Sequence, residues 1–349
     1  MTRRSATLAV AGALIVALVA VASMLNLPYV VYSPGPVEDT LGEWNGEPVV
    51  QIEGAETYST DGELDLTTVG VTSADAELDL LTALRAWADP DRAVIPREVV
   101  YPEGTTAEQS RQLNAAMLAD SQQNAKVAAL RQLDYEVTER VLVDAVVEGA
   151  PADGVLEPGD VVVSVDGVDV STPQDVVDAV TEHEPGETVE FVIERDGATL
   201  VQRIETTEAE EDGRALVGFQ PVAGFDLPIE IDITIDERIG GPSAGMIFAV
   251  AIYDTLTPEA LLAGQHIAGT GEISPDGEVG PIGGIQQKIA AANHDGAELF
   301  LAPAANCDEA VGGNNGDMLV VPVETLDDAI ATIESFTDGD TGDLAACPT

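Results

Sequence analysis

The sequence predicts a multi-domain chain: an N-terminal transmembrane helix, a mixed α/β membrane-proximal region, a β-rich middle domain and an α+β C-terminal domain. Three observations carry this reading. No charge occurs between Arg4 and Glu38. Short β-like runs broken by Pro-Gly and Asp-Gly turns fill the middle of the chain. From about residue 220, strand-like alternation gives way to helix-like periodicity and back. The length of 349 residues suits two or three domains.

Composition narrows the function. There are 63 acidic against 14 basic residues, a formal net charge of -49. Nucleic-acid phosphates and anionic lipid would be repelled, so neither is expected as a partner of the folded body. With 45% hydrophobic residues the chain can still build cores, and the acidity reads as a solvated surface that salt would screen. Cys307 and Cys347 form no C-x-x-C pair, which leaves one disulfide in an oxidising compartment as their open use. His183, His266 and His294 show no ligand spacing, so no metal and no cofactor are expected.

The first element, residues 1–27, is read as a short cytoplasmic end and a signal anchor. Ala6 to Leu27 is uncharged and long enough to span a bilayer, which takes about 20 residues. Arg3 and Arg4 precede it and acids follow, which places the body outside the cytoplasm on a single-pass anchor in the cell membrane. The alternative is a cleaved signal peptide, with Ala20-Val21-Ala22 as its A-x-A site.

Residues 28–126 are read as a membrane-proximal spacer and platform. "PVVQIEG" and "ELDLTTVGV" alternate like strands, "ELDLLTALRAWADP" is a helix stopped by Pro90, and "TAEQSRQLNAAMLADSQQNAKVAALRQL" is a long helix. Residues 127–208 hold "EGAPADG", "LEPGDVVVSVDG" and the helix "PQDVVDAV", which starts at Ser171 or Thr172 ahead of Pro173. Together these motifs resemble a PDZ domain of the bacterial protease-associated kind. The resemblance implies strand addition of a protein or peptide partner and reading of its C-terminus. "LDYEV" (Leu133 to Val137) is the candidate carboxylate loop, although it lacks a glycine.

The fourth region, residues 220–336, carries the chemistry. "IEIDITID" puts Ile229, Ile231, Ile233 and Ile235 on one face of a strand. A helix begins near Pro242 in "RIGGPSAGMIF", and a second, "GIQQKIAAANHDG", ends at Gly296. If Ser243 is a nucleophile, something must take its proton. "GPSAG" matches G-x-S-x-G, and Ser243, Asp276 and His294 stand in α/β-hydrolase order, the esterase alternative. Against it, "DERIGG" separates the strand from Pro242, and the triad spans only 51 residues. The second candidate is Lys288, one of only two lysines. It shares a helical face with Ile285, Ile289 and Ala292. Burial there would lower its pKa, whereas a snorkelling lysine would stay charged. The third reading has no base at all, with Ser243 as a helix cap.

"GGPSAGMIFA" followed by "GTGEISPDGEVGPIGGIQQKIAAANHDGA" resembles the Lon protease proteolytic domain, over residues 225–335. With the anchor and the PDZ-like region ahead of it, the chain resembles the membrane-anchored, PDZ-containing Lon-like proteases of Gram-positive bacteria. The resemblance implies a serine endopeptidase with Ser243 as nucleophile, Lys288 as general base and Thr270 orienting the lysine. Glu272 is left without a role. The resemblance also implies a homo-oligomer, a hexameric ring. No G-x-x-x-x-G-K-[ST] loop occurs, so no ATPase module is expected and substrates should be flexible or unfolded. The contrasting function is a PDZ scaffold with an inactive protease-like domain. Residues 337–349 are expected to form a disordered tail.

Overall fold

The computed structural model describes residues 10–17, 25–102, 104–209, 212–342 and 344–347. It divides into two compact units, residues 136–228 and, as a discontinuous body, residues 1–135 with 229–349.

The expected transmembrane helix is corrected. The helix described within Ala6 to Leu27 covers residues 10–17 only. Among the described residues no helix is long and apolar enough to cross a membrane. The rest of the apolar stretch, residues 6–9 and 18–24, lies outside the described residues, as does the A-x-A site, and a strand pairing starts at Asn26.

The discontinuous unit is built on a six-stranded sheet. Its strands run in the order Leu319–Val323, Leu299–Pro303, His266–Gly269, Glu63–Val71, Tyr29–Asp39, Ala93–Pro96. The first four are parallel and the last two pair antiparallel. "LFLAP" (299–303) is buried at every residue, as a strand covered on both faces must be. Residues 28–126 therefore do not stand apart as a spacer. Glu63–Val71 sits in the middle of this sheet, and Thr67 Oγ1 donates to the carbonyl of Gly269 at 3.0 Å. The long helix Ala107–Gln132 opens with a capping box, Thr106 with Gln109, and packs on the apolar helix Gly245–Leu256. "IEIDITID" forms its ladder over Glu230–Ile233, paired with Val50–Glu53, with Ile229 and Ile231 buried.

The tail is tied down rather than loose. Cys347 is buried and disulfide-bonded to Cys307, and its N–H donates to the carbonyl of Val320 at 3.1 Å.

The continuous unit is an antiparallel sheet with strands Ala198–Glu205, Thr188–Arg195, Val161–Val165, Thr138–Val146 and Phe219–Asp226 in that order. Helix Pro173–Thr181 starts at N-cap Thr172, which forms a capping box with Asp175. Val176 and Val180 face a core of Val141, Val162, Phe191 and Ile193. Phe191 and Phe219 meet edge to face at 5.9 Å.

Candidate active site

Ser243 lies in a turn that feeds the helix Gly245–Leu256. The turn needs its glycines. Gly241 adopts φ +94°, and a Cβ on Gly245 would meet Ser121 Oγ at 2.7 Å and Ile273 Cγ2 at 2.9 Å. The carbonyl of Ser243 accepts from the Gly271 N–H at 2.8 Å and from Thr270 Oγ1 at 2.9 Å. Among the described residues the N–H groups of Ser243 and Ala244 have no hydrogen-bond partner. They stand at a helix N-terminus, where a developing negative charge is favoured.

Lys288 comes from the helix Ile285–Asp295, which starts after Gly284 at φ +70° and ends at Gly296 at φ +103°. The 3.6-residue repeat turns Ile285, Ile289 and Ala292 into an apolar cluster and carries Lys288 inward with them, leaving it 2% exposed. Its Nζ lies 2.6 Å from Ser243 Oγ and 2.7 Å from Thr270 Oγ1. Burial pushes the amine down to about 7, against the opposing charge of Glu272. Thr270 is fully buried, and because its only proton goes to the Ser243 carbonyl, it accepts from Nζ. A neutral amine donating to Thr270 keeps its lone pair free for the proton of Ser243.

The histidine alternative loses its geometry. Asp276 binds Arg131 at 2.6 Å and His294 faces Asp91 at 3.4 Å, so neither is committed to Ser243. His183 binds Asp166 at 2.7 Å. Asp65, His266 and Asp295 bring one ligand atom each within 4.8 Å of one another. There the buried Asp65 carboxyl, raised to about 6 by desolvation, is already hydrogen-bonded to His266 at 2.5 Å, the geometry of an ion pair. The first three residues of "LDYEV" have their amides committed to the preceding helix. The N–H groups of Leu133, Asp134 and Tyr135 all turn back onto carbonyls of the last helical turn, with Asp134 at φ +60°. Sequence reasoning missed the long helix as part of this site. Ser121 Oγ donates to the Pro242 carbonyl at 2.8 Å, and the Gly241 N–H donates to the Asn114 carbonyl at 2.8 Å.

Residues 104–206 match the family model for the PDZ domain, and residues 237–333 match that for the Lon protease (S16) C-terminal proteolytic domain. The PDZ match begins just ahead of the long helix and includes it, yet contacts place that helix with the other unit. Among curated relatives, the Lon protease of Paraburkholderia phytofirmans is 41% identical over 97 residues, 27% of this chain and 12% of that protein. The Lon protease of Roseiflexus castenholzii is 46% identical over 66 residues, 19% of this chain and 8% of that protein. The archaeal Lon protease of Methanothermobacter thermautotrophicus is 34% identical over 111 residues, 31% and 17%. The chain thus spans less than a fifth of the length of these relatives. Among solved structures, the PDZ domain of an SdrC-like protein from Listeria monocytogenes aligns at 26% identity over 24% of this chain and 86% of that one, with a TM-score of 0.23. The chain carries a PDZ domain and a Lon-type C-terminal proteolytic domain, has Lon proteases among its relatives, and so fits a PDZ-containing Lon-like serine endopeptidase.

Proposed function

We propose that the protein is an endopeptidase that cleaves flexible or unfolded protein segments with Ser243 as nucleophile and Lys288 as general base. The observation that carries this is the buried Lys288 Nζ at 2.6 Å from Ser243 Oγ. Oγ attacks the scissile carbonyl carbon while the Nζ lone pair takes its proton. The tetrahedral oxyanion rests on the free N–H groups of Ser243 and Ala244. The ammonium then protonates the leaving amine, and the C–N bond breaks to give an acyl-enzyme. Water attacks that ester, its proton passes to Nζ, and Ser243 leaves with the proton restored. Thr270 orients Nζ throughout.

The PDZ unit recruits the substrate by strand addition. Strand Phe219–Asp226 stands at the end of the sheet order, and helix Pro173–Thr181 packs beside it. The body works outside the cytoplasm. The Cys307–Cys347 disulfide supports that location. A homo-oligomer rests on the family resemblance alone, and sedimentation tests it.

Turnover of a fluorogenic peptide across pH tests the dyad. Wild-type activity should rise through about pH 7, because only the neutral amine works. Ser243→Ala and Lys288→Arg should both fall to background with folding intact, since a guanidinium cannot give up its proton. Substantial turnover by folded Lys288→Arg would remove the lysine from the mechanism. An inactive wild type that binds peptides would make the chain a scaffold.

A further inference from the structure

We infer that Ser121, on the long helix outside the matched proteolytic segment, is a positioning residue that aims the oxyanion-binding amide of Ser243. The inference rests on the Ser-Lys reading above. Serines inside helices commonly bond the carbonyl one turn back or face water. Ser121 does neither: it is 3% exposed, and its hydroxyl donates at 2.8 Å to the Pro242 carbonyl, 121 residues away in sequence. The other donor to that carbonyl is the Gly245 N–H, at a long 3.4 Å. Ser121 is therefore the principal holder of the peptide plane between Pro242 and Ser243.

That plane matters because of what lies on its other side. In a trans peptide the C=O and N–H point in opposite directions. Holding the Pro242 carbonyl toward the long helix turns the Ser243 N–H away from it. The next peptide is fixed the same way, through the Gly271 N–H and Thr270 Oγ1 on the Ser243 carbonyl, which aims the Ala244 N–H. Two consecutive unpartnered amides are thus each locked from behind, one by the proteolytic segment and one by Ser121. Asn114, two helical turns before Ser121, adds a second tether through its carbonyl to the Gly241 N–H. The contact has no slack, since even a methyl group on Gly245 would come within 2.7 Å of Ser121 Oγ.

Ser121→Ala and Ser121→Cys in the full-length protein test this, with peptide turnover, melting temperature and inhibition by a peptide boronate as readouts. The boronate forms a tetrahedral adduct on Oγ and so probes the oxyanion site directly. Removing an oxyanion donor outright costs about a hundredfold or more in kcat, and a donor left in place but mis-aimed should cost roughly tenfold. Ser121→Ala should lose about that factor in kcat and in boronate affinity, with KM unchanged and the fold retained. Ser121→Cys keeps the packing but has only a weak donor, so it should stay impaired. It also carries the test if the alanine variant does not fold. Full kcat and boronate affinity in either folded variant would overturn the inference, as would losses that only track the unfolded fraction. A wild type with no turnover, and no fluorophosphonate label on Ser243, would instead refute the dyad reading and this inference with it.

Discussion

Replacing Lys288 with methionine should abolish activity and yet stabilise the protein at neutral pH. The stem is nearly preserved, and the buried charge is gone. Burial lowers the amine from 10.5 to about 7. At 1.36 kcal/mol per pH unit, that drop corresponds to about 5 kcal/mol of folding free energy lost whenever the folded chain must carry the ammonium. With the side chain 2% exposed, solvent screening removes little of it. Methionine also forfeits the hydrogen bonds to Ser243 and Thr270, about 2 kcal/mol together. The net gain should be about 3 kcal/mol at pH 6. Between about pH 7 and 10.5 the unfolded wild-type chain holds the proton and the folded one does not, so wild-type stability rises with pH. The advantage of Lys288→Met should therefore shrink by about 1.4 kcal/mol per pH unit and vanish near pH ~9. Urea unfolding followed by tryptophan fluorescence reads the right unit, because Trp44 and Trp87 both belong to the discontinuous one. A stability difference that stays flat from pH 6 to 10, or a methionine variant less stable at pH 6, would refute the buried-amine argument.

Two further outcomes can be checked. The Cys307–Cys347 bond closes a loop 40 residues apart, so Cys347→Ser should cost about 4 kcal/mol, seen as a lower unfolding midpoint that reductant reproduces in the wild type. Excising residues 136–228 and joining the ends with a short Gly-Ser linker should leave turnover of an unstructured peptide largely intact while cleavage of a folded-protein substrate's flexible tail falls; equal loss on both would tie that unit to the protease fold itself.

Local chemistry made part of this site readable. The helical repeat alone puts Ile285, Lys288, Ile289 and Ala292 on one face, and two of the five glycines in "GGPSAG" and "PIGG", Gly241 and Gly284, do adopt positive φ. What could not be read is long-range pairing. Nothing in "ELDLTTVGV" specifies that it lies beside His266–Gly269, because strand propensity describes a pleated surface and not its partner. Ser121 stayed hidden for the same reason, since its acceptor is 121 residues away. The N-terminal stretch reads as a span from its hydropathy, whereas among the described residues no helix is long and apolar enough to cross a membrane. In "LDYEV" the first three amides close the preceding helix, a use that composition does not reveal.

The order in which the sheet is assembled has a consequence for the newly made chain. Its strands Tyr29–Asp39, Glu63–Val71 and Ala93–Pro96 emerge early, but His266–Gly269, which pairs with the other edge of Glu63–Val71, follows some two hundred residues later. The intervening unit is contiguous and can fold as soon as it is synthesised. The helix Ile285–Asp295 packs chiefly on Tyr29–Asp39 and Glu63–Val71 yet follows them by more than two hundred residues, and loop closure over such separations is slow. A nascent chain therefore completes the unit 136–228 before the late strands of the sheet and the helix that carries Lys288 exist.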